Sequence, residues 1–237
     1  MNRTTFAKAG CLALTTLLLT LLPACSALLP KPAAQPSFFA LDGAPAAALS
    51  TLPALPVTRA ATIGVAAAPT LVVNPPQASA GFDSQRIIYV RKAHQLEYFA
   101  HSEWVDTPAR MLAPLIVAAV DKSGAFRAVV STPSAAASDL RLDTEIVRLQ
   151  HEFGSTPSRV RLTLRATLTD NATRQVLARI DFDSVADAAS EDAYGGVVAA
   201  NHATRVVLQS LAVFCSEAAR QWQPRNRGVA AGAVGHV

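Results

Sequence analysis

The sequence predicts an α+β fold: a mixed, largely antiparallel sheet with two helices packed on one face. Two kinds of pattern lead there. Val160, Leu162, Leu164, Ala166 and Leu168 alternate with Arg161, Thr163, Arg165, Thr167 and Thr169, the period of a strand with one buried face. Two other stretches step at three and four instead. After Pro108, Leu112, Leu115, Ile116 and Ala119 turn to one side, and toward Trp222 so do Val197, Ala200, Thr204, Val207, Leu208, Leu211, Phe214, Cys215 and Ala218. Two helices with one apolar stripe each need a greasy sheet to lie on, and the period-two strands supply it.

In chain order, residues 1–24 read as an export signal. Asn2, Arg3 and Lys8 make a polar, basic start, and Leu12 to Leu22 an apolar core too short to span a bilayer. Leu22-Pro23-Ala24-Cys25 resembles a lipobox, the bacterial lipoprotein cleavage site, so Cys25 is expected to become the acylated first residue; the alternative is an ordinary signal whose cysteine is incidental. Two or three acyl chains, at about 0.8 kcal/mol per buried CH₂, hold firmly where one does not. Ser26 in place of Asp favours, by resemblance to lipoprotein sorting patterns, the outer membrane. Residues 25–36, made of Pro, Ala, Leu and Lys, form a tether.

The domain is expected over 37–223, with a low-complexity loop at 43–60 and a disordered tail at 224–237. Ser37 to Asp42 suits a short strand, and Thr70 to Val73 a strand stopped by Pro75-Pro76. Arg86 to Val90 and Leu96 to Phe99 read as a hairpin, followed by a stop near Trp104. Asp106 or Thr107 caps a helix that opens on Pro108 and runs to about Asp121, with a kink or late start at Pro114.

Beyond Gly124, Phe126 to Val130 is a strand. Leu140 to Phe153 changes its apolar parity near Ile146, which implies a bulge or a bend there. The returning strand is expected to bury Val176, Ala178, Ile180 and Phe182. The last helix begins between Ser190 and Val197, with His202, Arg205, Gln209, Ser216 and Arg220 on its solvent side.

Composition excludes several function classes. Losing Arg3 and Lys8 leaves 19 basic against 17 acidic residues, a balance of +2, which is not that of a nucleic-acid binder. No phosphate-binding glycine loop, no second histidine completing a zinc-protease helix at His151-Glu152 and no G-x-S-x-G elbow occurs. The expectation is therefore no catalytic residues, no metal and no cofactor. Scattered His94, His101, His151, His202 and His236 suit solvated positions.

With Cys11 removed and Cys25 acylated, Cys215 has no disulfide partner. Its apolar helical setting suits packing better than reactivity. Tyr89, Tyr98 and Trp104 are the candidate partner-contact residues, although their strand and junction positions favour core packing. Arg161, Arg165, Arg179, Asp181 and Asp183 form either a docking surface or a solvated sheet face.

The order GFDSQRIIY, then LEYFAHSEWVDTPARML, over Gly81 to Leu112 resembles the ABC-type transport auxiliary lipoprotein family, paraquat-inducible lipoprotein C-like proteins included. Members accompany MCE-type lipid transport systems. The resemblance implies a non-catalytic accessory facing the periplasm, partnered by MCE-domain and permease subunits, with room for a homo-oligomer. A periplasmic lipid-binding shuttle and a structural cell-envelope lipoprotein are the alternatives.

Overall fold

A computed structural model describes residues 35–43 and 68–222. The expected signal peptide, Cys25, most of the tether and the low-complexity loop, and the tail lie outside the described residues.

The strands are β1 (Ser37–Phe39), β2 (Thr70–Val73), β3 (Gln77–Ala78), β4 (Arg86–Val90), β5 (Glu97–Trp104), β6 (Ala128–Ser131), β7 (Leu140–Glu152), β8 (Arg159–Asp170) and β9 (Val176–Asp187). The helices are α1 (Pro108–Lys122) and α2 (Ala193–Gln221). Strand β7 is the spine. One of its edges carries β8 antiparallel along its whole length, and β9 follows antiparallel on β8. Its other edge is shared by three strands in succession, all parallel to it: β2 from Leu71 to Val73, then β3, then β4 at Tyr89 and Val90. Strand β6 lies parallel on β2, β5 antiparallel on β4, and β1 parallel on β5. The long ladders are antiparallel and the short ones mostly parallel.

The expected parity change in β7 is real. Its register on β8 shifts between Ile146 and Arg148, so residues 140, 142, 144 and 146 are buried before the bulge and 149 and 151 after it. On β8 the five alternating apolar side chains are all buried. They share one continuous core with Leu112, Ile116 and Val120 of α1 and with Val207, Leu211 and Cys215 of α2. At about 1.5–3 kcal/mol per fully buried large apolar side chain, this layer is the main favourable contribution to folding.

Several expectations need correction. Strand β5 does not end at Phe99 but runs to Trp104, because its far half pairs with β1 and Arg86. Helix α1 starts at Pro108 and passes through Pro114 without a late start; Asp106 Oδ1 accepts the Thr107 N–H at 2.8 Å, and the Thr107 side chain caps nothing. Phe126 is buried ahead of β6 and lies outside it. Ser216, expected in solvent, is buried and donates its hydroxyl to Ala212 O at 2.7 Å. On β9, Ala178 and Phe182 are half-buried but Ile180 is exposed, and a register shift on β8 at Leu177 turns Val176 to the other face, where it is exposed.

Helix α2 begins before its glycine pair. Asp192 Oδ1 accepts the Gly195 N–H at 2.8 Å as an N-cap. The glycines are required by close approach: a Cβ on Gly195 would collide with the Ser190 backbone, and one on Gly196 would lie 2.5 Å from His151 Nδ1. By length and composition α2 is apolar enough to cross a membrane, but its apolar stripe lies in the core, as in an ordinary buried helix.

Candidate functional site

Two neighbouring features stand where the chain enters the fold. The first is the attachment of the N-terminal segment. Phe39 pairs with Trp104, and Val105 N donates to Phe39 O at 2.9 Å. Asn201, in the buried stripe of α2, then clips the residues that follow. Its Oδ1 accepts Asp42 N at 2.9 Å and Gly43 N at 2.8 Å, and its Nδ2 donates to Ala40 O at 3.0 Å and Val197 O at 3.1 Å. All four hydrogen-bonding positions of a buried amide are used. Arg205 adds a bond to Gly43 O. The signal available in the sequence was an asparagine four residues after Val197, inside an otherwise apolar stripe.

The second is the β4–β5 hairpin with the end of β7. Tyr89, Phe99, Phe153 and His151 form one ring cluster, with centroids 4.7 Å apart for Tyr89 and Phe99 and 4.2 Å for His151 and Phe153. Tyr89 OH donates to Glu97, and Arg91 both pairs with Glu97 and lies over the Tyr89 ring at 5.4 Å. The Arg91 guanidinium and its hydrogen bonds hold the Glu97 carboxyl below its usual range.

The three aromatic candidates separate. Trp104 is 3 % exposed and is a core residue. Tyr89 is half-buried in the cluster, and Tyr98 is 40 % exposed with Arg86 4.9 Å from its ring centre. Since Ile88 pairs with Tyr98 and Tyr89 with Glu97, the two tyrosines lie on opposite faces of the hairpin.

His151 corrects the expectation of solvated histidines. It is 2 % exposed, with Nε2 2.7 Å from Ser158 Oγ. Its place in the post-bulge parity of Leu149 carried that signal. Burial pushes its pKa down, partly opposed by Glu191 and Asp192. Glu191 accepts the Ser158 N–H at 2.8 Å. The His151 Nδ1, packed against Gly196, has no hydrogen-bond partner among the described residues.

This is not a relay for nucleophilic attack. Ser158 is fully buried, and the carboxylate lies on the serine side of the pair, where it cannot orient the imidazole through Nδ1. Among the described residues no group of three His, Cys, Asp or Glu is placed to hold a metal. On the sheet's open face, Arg161 bridges Glu152 and Asp183, and Arg165 bridges Glu145 and Asp181.

Residues 51–212 match the family described as the ABC-type transport auxiliary lipoprotein component. No curated protein matches the chain. Among solved structures, protein XCC0632 from Xanthomonas campestris is similar at 23% identity and TM-score 0.60, over 65% of this chain and 87% of that one. The hypothetical protein CT253 from Chlamydia trachomatis is similar at 7% identity and TM-score 0.45, over 65% and 98%. Lipoprotein GNA1162 from Neisseria meningitidis is similar at 11% and 0.34, over 64% and 96%. The first of these likenesses supports the fold alone.

Proposed function

The chain belongs to the family of ABC-type transport auxiliary lipoprotein components, and from that premise we propose a non-catalytic accessory of an MCE-type intermembrane lipid transport system. The family match over residues 51–212 is the observation that carries the reading. In this reading Cys25 bears the lipid, the outer membrane holds it, and the domain faces the periplasm. The tether of residues 25–36 reaches at most about 40 Å when fully extended. It ends at β1, which β5 and the Asn201 clip fasten to the core. A domain confined this way presents a docking surface at high local concentration to the MCE-domain and permease subunits. Tyr98, with Tyr89 behind it, is the proposed contact, and Trp104 supports the hairpin from the core.

One observation favours a second reading, a lipid-binding shuttle. Between α1 and the β2–β6 edge runs a groove of about 600 Å³, lined by Val73, Pro75, Pro114, Val117 and Val129 among others. That volume is within the range of ligand sites. Crosslinking of the native protein in its envelope, followed by identification of its neighbours, tests both. Capture of MCE-domain or permease subunits is expected. Stoichiometric co-purified phospholipid replaces docking with the shuttle, and capture of cell wall alone replaces both with a structural envelope role.

A further inference from the structure

The buried pair of His151 and Ser158 joins the spine of the sheet to the entry of α2. Glu191 accepts the Ser158 N–H at 2.8 Å, and this N–H together with the Ser158 hydroxyl holds the Glu191 carboxyl below its ordinary range. A hydroxyl has one proton. Turned toward Glu191, it leaves the Ser158 oxygen as an acceptor, so His151 Nε2–H donates the 2.7 Å bond and Nδ1 carries the imidazole lone pair.

The surroundings of Nδ1 fit that tautomer. Gly196 covers it so closely that a Cβ there would stand 2.5 Å away. The neighbouring space is lined by Ile87, Ile88, Trp104, Val160 and Ala200, while Gln150 spends its amide on Glu152. A second ring proton, placed at Nδ1, is therefore a buried donor with no acceptor.

Among the described residues, the charged groups toward the ring stand at the entry of α2. They are Glu191 and Asp192, and both favour the charged imidazole against its burial. Within the first ten residues of α2 only Tyr194 and His202 titrate, and both are exposed. From the hairpin, Glu97 is taken by Arg91 and Tyr89 OH. On the sheet, Glu152 pairs with Arg161 on the opposite face, and Arg159 is exposed.

We propose that His151 is a proton-operated latch on the first turn of α2: when Nδ1 takes a proton from solvent, residues 192–196 turn outward, Asp192 releases the Gly195 N–H, and its carboxylate accepts the new Nδ1–H. An imidazolium held against a helix N-terminus is repelled by the helix dipole, whereas a carboxylate attracts it. Movement falls to the turn because the ring's other sides are fixed, by Phe153 at 4.2 Å, Phe99 at 6.2 Å and Ser158. Gly195 and Gly196 put no side chain in its way and give it two permissive backbone positions. The turn also carries Tyr194, whose ring lies 6.4 Å from that of Phe39. Acid thus loosens α2 from the strand by which the N-terminal segment enters.

Hydrogen exchange of the full chain between pH 7.5 and 5, corrected for the intrinsic pH dependence of exchange, tests the latch. An opening that takes up one proton grows about tenfold per pH unit below the ordinary histidine value of 6.5 and is flat above it. The amides of Gly195, Gly196 and Val197 are expected to follow that slope, at rates that low urea leaves unchanged. Leu164, in the middle of β8, is expected to exchange more slowly and to respond to urea, as global unfolding does. His151→Phe is expected to flatten the slope at the turn. Asp192→Asn keeps a capping side chain; it is expected to move the onset to lower pH and carries the test where the phenylalanine variant does not fold. No pH slope at the turn, a slope that survives His151→Phe, an unmoved onset in Asp192→Asn, or turn amides that exchange only together with Leu164 overturns the proposal.

Discussion

Gly196→Ala pits a local preference against a tertiary contact, and the two disagree in sign. Gly196 is the fourth residue of α2, where alanine is favoured over glycine by about 1 kcal/mol on helix propensity alone. The added Cβ, however, would lie 2.5 Å from His151 Nδ1, 3.1 Å from Cε1 and 3.2 Å from Cγ. The ring cannot retreat. It is 2 % exposed, Phe153 lies 4.2 Å away by ring centres, and Ser158 holds Nε2.

Overpacking of this kind costs typically 1–3 kcal/mol, and a clash with three atoms of an immobile ring belongs at the upper end, about 3. The net is a loss of about 2 kcal/mol. For a domain of this size that lowers the melting midpoint by roughly 4–8 °C. Thermal unfolding followed by circular dichroism reads it directly. In a His151→Ala background the contact is gone, so Gly196→Ala should there become stabilising. A rise in Tm in the wild-type background, or the same change in both, refutes the close approach as the reason for glycine.

Other outcomes follow from the same geometry. Asn201→Ala strands the Asp42 and Gly43 amides and the Ala40 carbonyl, at a cost of about 2–4 kcal/mol, and limited proteolysis should then cut near residues 40–43 while wild type resists. His151 is held neutral by burial, so its folded pKa lies below the ordinary 6.5; the unfolded chain binds the extra proton first. Stability is therefore intact above pH 6.5 and falls as pH drops from there toward the folded value, before the carboxylates titrate. Urea midpoints measured between pH 7 and 5 should show this slope, and His151→Phe should remove it. Burial pushes the Cys215 thiol up to about 12, so a thiol reagent should find it only after denaturation. Cys25→Ala should move the protein from the membrane to the soluble periplasmic fraction with an unchanged melt, and continued membrane association counts against the anchor.

Much of the architecture was legible without coordinates because it is written at contiguous positions. The alternation in β8, the parity change in β7, the stripe of α2 and the stop at Pro75-Pro76 are each set by a few neighbouring residues, since a strand repeats every two and a helix about every 3.6. The family was legible for a related reason: Gly81 to Leu112 is a continuous run.

Tertiary structure decided what depends on partners distant in sequence. The succession of β2, β3 and β4 along one edge of β7 pairs residues 62 to 69 positions apart, and no local period specifies it. His151 looked like a polar strand residue until Ser158 and the glycine turn of α2 closed around it. Asn201 acquired its role only when residues 40–43 came to lie against it. On β9, periodicity marked Val176, Ala178, Ile180 and Phe182 as one buried face, but the register on β8 shifts at Leu177, which turns Val176 to the other side, and Ile180 is exposed, because register and burial belong to the assembled sheet and periodicity only to the strand.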